Sequence, residues 1–118
     1  MTIENADYAS PMLEMADRVR KLLADDPNIA EKKMFGGICF MLNGNMLCGP
    51  IKSGDMMFRI GEEQAVKALK HESVREMDFT GRPMKGFIFV SRDGIEKDDT
   101  LYEWITRATN YVGNFPAK

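Results

Sequence analysis

Apolar and polar positions along the chain follow two periods, and the change from one to the other divides it into elements. Leu13, Ala16, Val19 and Leu23 recur at steps of three and four, and Met12, Met15 and Leu22 widen the stripe, which predicts an amphipathic helix from Pro11 to about Ala24. Ser10 is placed to cap it, and Pro11 suits the first helical position, where a missing N–H is not missed. Pro27 disfavours helical backbone at Asp26, so Asp25-Asp26-Pro27-Asn28 ends the helix. Ile29 to Lys33 reads as a connector that begins helically and ends in a short extended piece at Lys33 to Phe35.

The period then shortens. Two apolar runs, Ile38 to Leu42 and Asn45 to Gly49, flank Asn43-Gly44, the pair best suited to a type I′ turn with positive φ at both central positions. A two-residue loop sets Leu42 opposite Asn45, Met41 opposite Met46, Phe40 opposite Leu47 and Cys39 opposite Cys48. Alternation then places Ile38, Phe40, Leu42 and Leu47 on one face and Cys39, Met41, Met46 and Cys48 on the other. Neither face is polar, so the hairpin is expected to be central, or covered on both sides by helices or a partner. Gly36-Gly37 before it allows a bend or a close backbone approach.

Asp55 to Ile60 predicts a third strand, with Met56, Phe58 and Ile60 on the core side and Met57 and Arg59 on the other. Gly61-Glu62-Glu63 opens a short helix, with Ala65, Val66 and Leu69 as its buried stripe and His71 as a cation near its end. Arg75 to Thr80 and Phe87 to Val90 are the fourth and fifth strands, joined through a Gly81 to Gly86 loop. Thr100 and Glu103 have capping-box spacing, and Leu101, Trp104, Ile105, Ala108 and Val112 share one face of a last helix ended by Gly113 and Pro116. The fold class is therefore α+β, a two-layer α-β-β-β-α-β-β-α arrangement with a mainly antiparallel five-stranded sheet. Residues 1–9 are expected to be a flexible terminus and residues 10–118 one domain.

Composition narrows the function. A net charge of −2 argues against nucleic acid as a direct partner. No apolar run is long enough for a membrane span, and the acidic N-terminus is unlike a signal peptide, so a cytoplasmic location and reduced thiols are expected. Ten methionines exceed the usual share; most such residues fill cores, and an exposed group makes an adaptable binding surface.

Catalytic patterns are missing. There is one histidine and no Gly-x-Ser-x-Gly, and the acidic pairs Asp25/Asp26, Glu62/Glu63 and Asp98/Asp99 sit at helix ends, where capping explains them. Neither an enzyme nor a cofactor is expected. Zinc is not expected either, because Cys39 and Cys48 lack further ligands at suitable spacing. The opposed Cys39 and Cys48, with Met41 and Met46 beside them, leave open a soft-metal or redox-responsive module.

Lys33-Met-Phe-Gly-Gly37, Leu42-Asn-Gly-Asn-Met-Leu47, Arg59-Ile60-Gly61, Phe79-Thr-Gly-Arg-Pro-Met-Lys-Gly86, Phe87 to Val90 and Leu101-x-x-Trp104 together resemble the TfoX/Sxy N-terminal-domain family, from about Met12 onward. The resemblance implies a fold like that of secretion chaperones and a role like that of competence and transcription regulators. The second, helical domain of full-length members, the part linked to nucleic-acid regulation, is not within these residues, so a stand-alone N-terminal domain is expected. It carries over no catalytic residue. The leading expectation is a non-enzymatic regulatory or adaptor domain that binds another protein, with Met34, Phe35, Gly36, Gly37, Arg82 and Lys85 as candidate contacts. A homodimer is open too, because an uncovered hairpin face would be a patch of interacting size.

Overall fold

The structure is a computed structural model that describes residues 10–34, 36–79 and 81–118. Its elements run α1 (Pro11–Leu22), β1 (Ile29–Met34), β2 (Gly37–Leu42), β3 (Asn45–Pro50), β4 (Met56–Arg59), α2 (Glu62–Ala68), β5 (Val74–Phe79), β6 (Arg82–Val90), a 3-10 turn (Arg92–Ile95) and α3 (Asp98–Val112). All strand pairs are antiparallel, in the order β1-β2-β3-β4-β6-β5. No described helix is long and apolar enough to cross a membrane.

The predicted order holds, and the sheet gains a sixth strand, β1, where a connector was expected. Its residues Ala30 to Lys33 are exposed, so the apolar alternation that marks a strand never arises. Such a charged edge is how sheets avoid pairing with other chains. Arg20 on α1 holds β1 in place, donating to both carboxylate oxygens of Glu31 at 2.6 and 2.8 Å.

Local chemistry sets the helix ends. Ser10 Oγ accepts from the Leu13 N–H at 3.3 Å, and Pro11 opens α1 as expected. α3 begins at Asp98, so Thr100 lies inside its first turn and forms no capping box. Arg18 explains the earlier start: its guanidinium binds the Asp98 carboxylate at 2.9 Å and the carbonyls of Ile95 and Glu96 at 2.9 and 3.0 Å, tying α1 to the entry of α3.

One face of the sheet meets all three helices. Phe40, Leu47, Phe58, Ile88 and Val90 pack there against Met15, Ala16 and Val19 of α1 and the five predicted residues of α3. Trp104 stacks on Phe58 with ring centroids 6.0 Å apart. In α2 the buried residues are Ala65 and Ala68; Val66 and Leu69, expected inside, are 66% and 39% exposed. Small side chains suit this short helix, which follows Gly61 closely packed on β6, where the Ile60 and Gly61 N–H groups both donate to the Gly86 carbonyl.

Candidate functional site: a methionine-lined sheet face

The β2–β3 hairpin turns where expected, with φ of 52° at Asn43 and 83° at Gly44. Its first two pairs, Leu42 with Asn45 and Met41 with Met46, match the anticipated register. A bulge follows. Phe40 faces Cys48 and not Leu47, so Leu47 is the extra residue on β3. The consequence is chemical: Leu47 and Cys48 both enter the helix-side core, while Cys39, Met41 and Met46 remain on the other face. The expected opposition of Cys39 and Cys48 is therefore corrected, because the bulge turns one thiol through the sheet. Both cysteines are free and buried.

Two glycines permit the close approach around this bulge. A Cβ on Gly49 would collide with the Ile38 carbonyl oxygen, and one on Gly37 with that of Pro50. Gly37 thus serves strand packing, and Gly36 beside it is exposed at φ 73°. Phe35, a third candidate in this stretch, lies outside the described residues.

The second face of the sheet has Cys39, Met57, Met77 and Phe89 at its centre and half-buried Met34, Met41, Met46, Ile51, Met84 and Phe87 around them. Six of the ten methionines are gathered here. The buried residues of α1, α2 and α3 all belong to the opposite cluster, so no described helix covers this face. Met57 and Arg59 were anticipated on this side from β4 alternation; the contribution of β6 was hidden, because its continuous apolar run does not say which side chain points where.

The charged residues register-paired with this face are basic. Lys32 is register-paired with Cys39, Arg59 with Phe87 and Arg75 with Phe89. Arg59 lies over the Phe87 and Phe115 rings at 5.2 and 4.7 Å, and Arg75 over Phe89 at 4.8 Å. Arg75 is balanced by Asp55 at 3.0 Å, whereas Lys32 and Arg59 meet no carboxylate among the described residues. Burial alone would raise the Asp55 carboxyl, but the Arg92 N–H, Arg75 and Ser53 together hold it below its ordinary value.

Burial pushes the Cys39 thiol up to about 11, against the pull of the Leu47 backbone, Arg59 and Lys32. Burial, with Cys39 nearby, raises the Cys48 thiol as well. Both are therefore protonated and weakly nucleophilic near neutrality. Among the described residues no three His, Cys, Asp or Glu side chains gather as a metal site. His71 is exposed and edge-on to Trp104 at 5.9 Å, with no carboxylate hydrogen-bonded to it among the described residues.

The remaining candidate contacts are scattered. Arg82 and Lys85, expected on a loop, are exposed residues of β6, because the chain reverses before Arg82 and pairs it with Phe79. Lys85 lines a shallow groove of about 220 Å³ with Val66, Leu69 and Met84. Met34 is on β1, with β2, β3 and β4 between it and β6. The C-terminal residues pin the hairpin tip: the Lys118 N–H donates to the Asn43 carbonyl at 2.9 Å, and Asn45 Nδ2 to the Pro116 carbonyl at 3.0 Å.

Comparison with curated proteins and with solved structures returns no significant match. A family model, the TfoX N-terminal domain, matches residues 21–111, which spans β1 to β6 and nearly all of α3. A match over most of the chain, on a fold whose strands and helices follow the anticipated order, means that this protein belongs to the TfoX N-terminal domain family.

Proposed function

We propose that this chain is a non-enzymatic regulatory or adaptor domain that works by binding another protein through the methionine-lined face of its sheet. The observation that carries the reading is a face that no described helix covers: four buried and six half-buried apolar residues on a sheet whose other face already supplies the helix-packed core. Unbranched, polarizable methionine side chains adapt to a partner's shape, and a contiguous apolar area on a sheet marks an interaction surface. Family membership supports a regulatory role. With both thiols buried and protonated, nucleophilic catalysis at sulfur has no support.

The test is photo-crosslinking in the source cell, with a benzophenone amino acid at Met41 or, as a control on the helix side, at exposed Tyr102. Discrete protein adducts from position 41 and not from 102 are expected. Equal labelling from both positions, or none from 41, refutes the reading.

The sulfur reading keeps one observation in its favour, since Cys39, Met41 and Met46 still share a face without Cys48. Anaerobic Cu(I) titration decides it, with stoichiometric uptake lost in Cys39→Ala as the supporting result.

A further inference from the structure

On the helix side, the far edge of the sheet carries a groove. β5 is the outermost strand there, with β6 as its one neighbour among the described residues. The pairs Glu76 with Ile88 and Asp78 with Pro83 lie two residues apart on β5 and five apart on β6, so β6 carries three extra residues. The Gly86 carbonyl within this excess accepts the Ile60 and Gly61 N–H groups and holds the start of α2 beside it. The groove of about 220 Å³ is lined by Val66 and Leu69 of α2, Pro83 and Met84 of β6 and Glu76 of β5. Its apolar wall is open to solvent, with Val66 66% and Leu69 39% exposed. Val74 joins the helix-side core and Met77 the opposite cluster, so alternation sets Glu76 and Asp78, both exposed, on the groove side. The Ser91 N–H donates to the Ser73 carbonyl, which turns the backbone groups of Ser73 and Arg75 toward β6. Those of Glu76 therefore point away from the sheet, and they have no partner among the described residues.

We propose that this edge takes an extended segment of a partner protein as an added strand, with an apolar side chain opposite Glu76 leaning into the groove and a lysine or arginine two residues to either side. Three observations select that occupant. Size comes first: about 220 Å³ is below the roughly 300 Å³ at which small-molecule sites begin, and it suits one or two side chains. Backbone comes second. The outward N–H and C=O of Glu76 match one residue of an added strand, the mode by which extended peptides bind sheet edges, whereas a helix has satisfied its own. Charge comes third. Glu62 lines the groove with Glu76, and Asp78 follows on the same face; none of the three has an ion-pair partner among the described residues. Lys85 is the one cation that lines the groove, so carboxylates prevail along it. The basic flanks of the added strand reach Asp78 directly and Glu76 diagonally. A second copy paired about Glu76 would instead set these carboxylates against their own equivalents. This surface is separate from the methionine face and does not depend on that reading.

The experiment uses the full chain and fluorescent heptapeptides in which threonine alternates with lysine, leucine and lysine, beside a counterpart with glutamates for the lysines and one with an N-methylated leucine. Anisotropy is expected to show the lysine peptide binding about tenfold more tightly than the glutamate peptide, and about tenfold more tightly than the N-methyl peptide, which has lost the N–H that would donate to the Glu76 carbonyl. Glu76→Lys is expected to reverse the preference between the first two, and Val66→Ser to weaken the lysine peptide about threefold, both at exposed positions and with circular dichroism unchanged. Hydrogen exchange at the Glu76 amide is expected to slow about tenfold when the lysine peptide is bound. Equal binding of the lysine and glutamate peptides, no binding of the lysine peptide, indifference to N-methylation, or unchanged exchange at Glu76 overturns the proposal. So does a dimer in sedimentation that the lysine peptide dissociates, because the edge would then hold a second copy.

Discussion

The two faces of one sheet are built from the same strands by simple alternation, yet they end in different states. The helix side is filled by Phe40, Leu47, Phe58, Ile88 and Trp104, residues of fixed shape locked against α1 and α3. The other side is rich in methionines, and no described helix lies over it. Shape-defined side chains produce a rigid core, and adaptable ones produce a surface that can be rearranged by whatever lies on it. The difference shows that an apolar strand face need not mean core: the residue type chosen for it separates packing from contact.

The widest gap between the faces is expected in paired truncations. Phe58→Ala, at a fully buried ring stacked on Trp104, is expected to lower unfolding free energy by about 4 kcal/mol, and Met57→Ala by about 2 kcal/mol, because the flexible methionines around Met57 can close part of the cavity. Urea unfolding of both variants measures this. Equal losses would mean that the second face is as tightly packed as the first.

Alkaline titration sharpens the comparison through the thiol on the open side. Burial raises the folded Cys39 thiol from 9.0 to about 11, so its stabilising effect is complete below pH 9 and is lost as pH rises toward 11. The loss from this group is on the order of 3 kcal/mol. Urea midpoints from pH 8 to 11 are expected to fall less steeply in Cys39→Ala than in the parent chain. Parallel curves would place Cys39 in water.

A smaller effect belongs to the helix side's polar tie. Arg18→Ala removes contacts to Asp98, Ile95 and Glu96, and because the Asp98 side chain is 70% exposed, the loss is expected to be about 1 kcal/mol by thermal or urea unfolding. The smallest change in stability is expected at the half-buried Met41. Met41→Gln should shift unfolding by less than about 0.5 kcal/mol while reducing capture of the protein partner in pull-down. A variant that loses stability and binding together would assign Met41 to packing.

Much of this fold was legible before any coordinates. α1 and α3 follow from 3.6-residue periodicity, down to each of the five buried positions of α3, and the Asn43-Gly44 turn follows from the positive φ that it demands. The candidate site was legible in part. Alternation separated Met57 and Arg59 from Phe58, and the cluster of Cys39, Met41 and Met46 survived, but Arg82 and Lys85 proved distant from Met34. β1 was hidden because Glu31, Lys32 and Lys33 remove the apolar alternation from an edge strand.

Sequence by itself determined what acts over a few residues: helical stripes, the proline and glycine boundaries, the tight turn and the two-sided apolar character of the hairpin. Tertiary structure alone decided the bulge that carries Cys48 to the helix side, the recruitment of a charged edge strand, and which face α1 and α3 would cover. The physical reason is range. Propensity and periodicity are properties of neighbours along the chain, whereas the bulge depends on Gly49 meeting Ile38 across a strand pair, and coverage depends on helices that begin at opposite ends of the sequence.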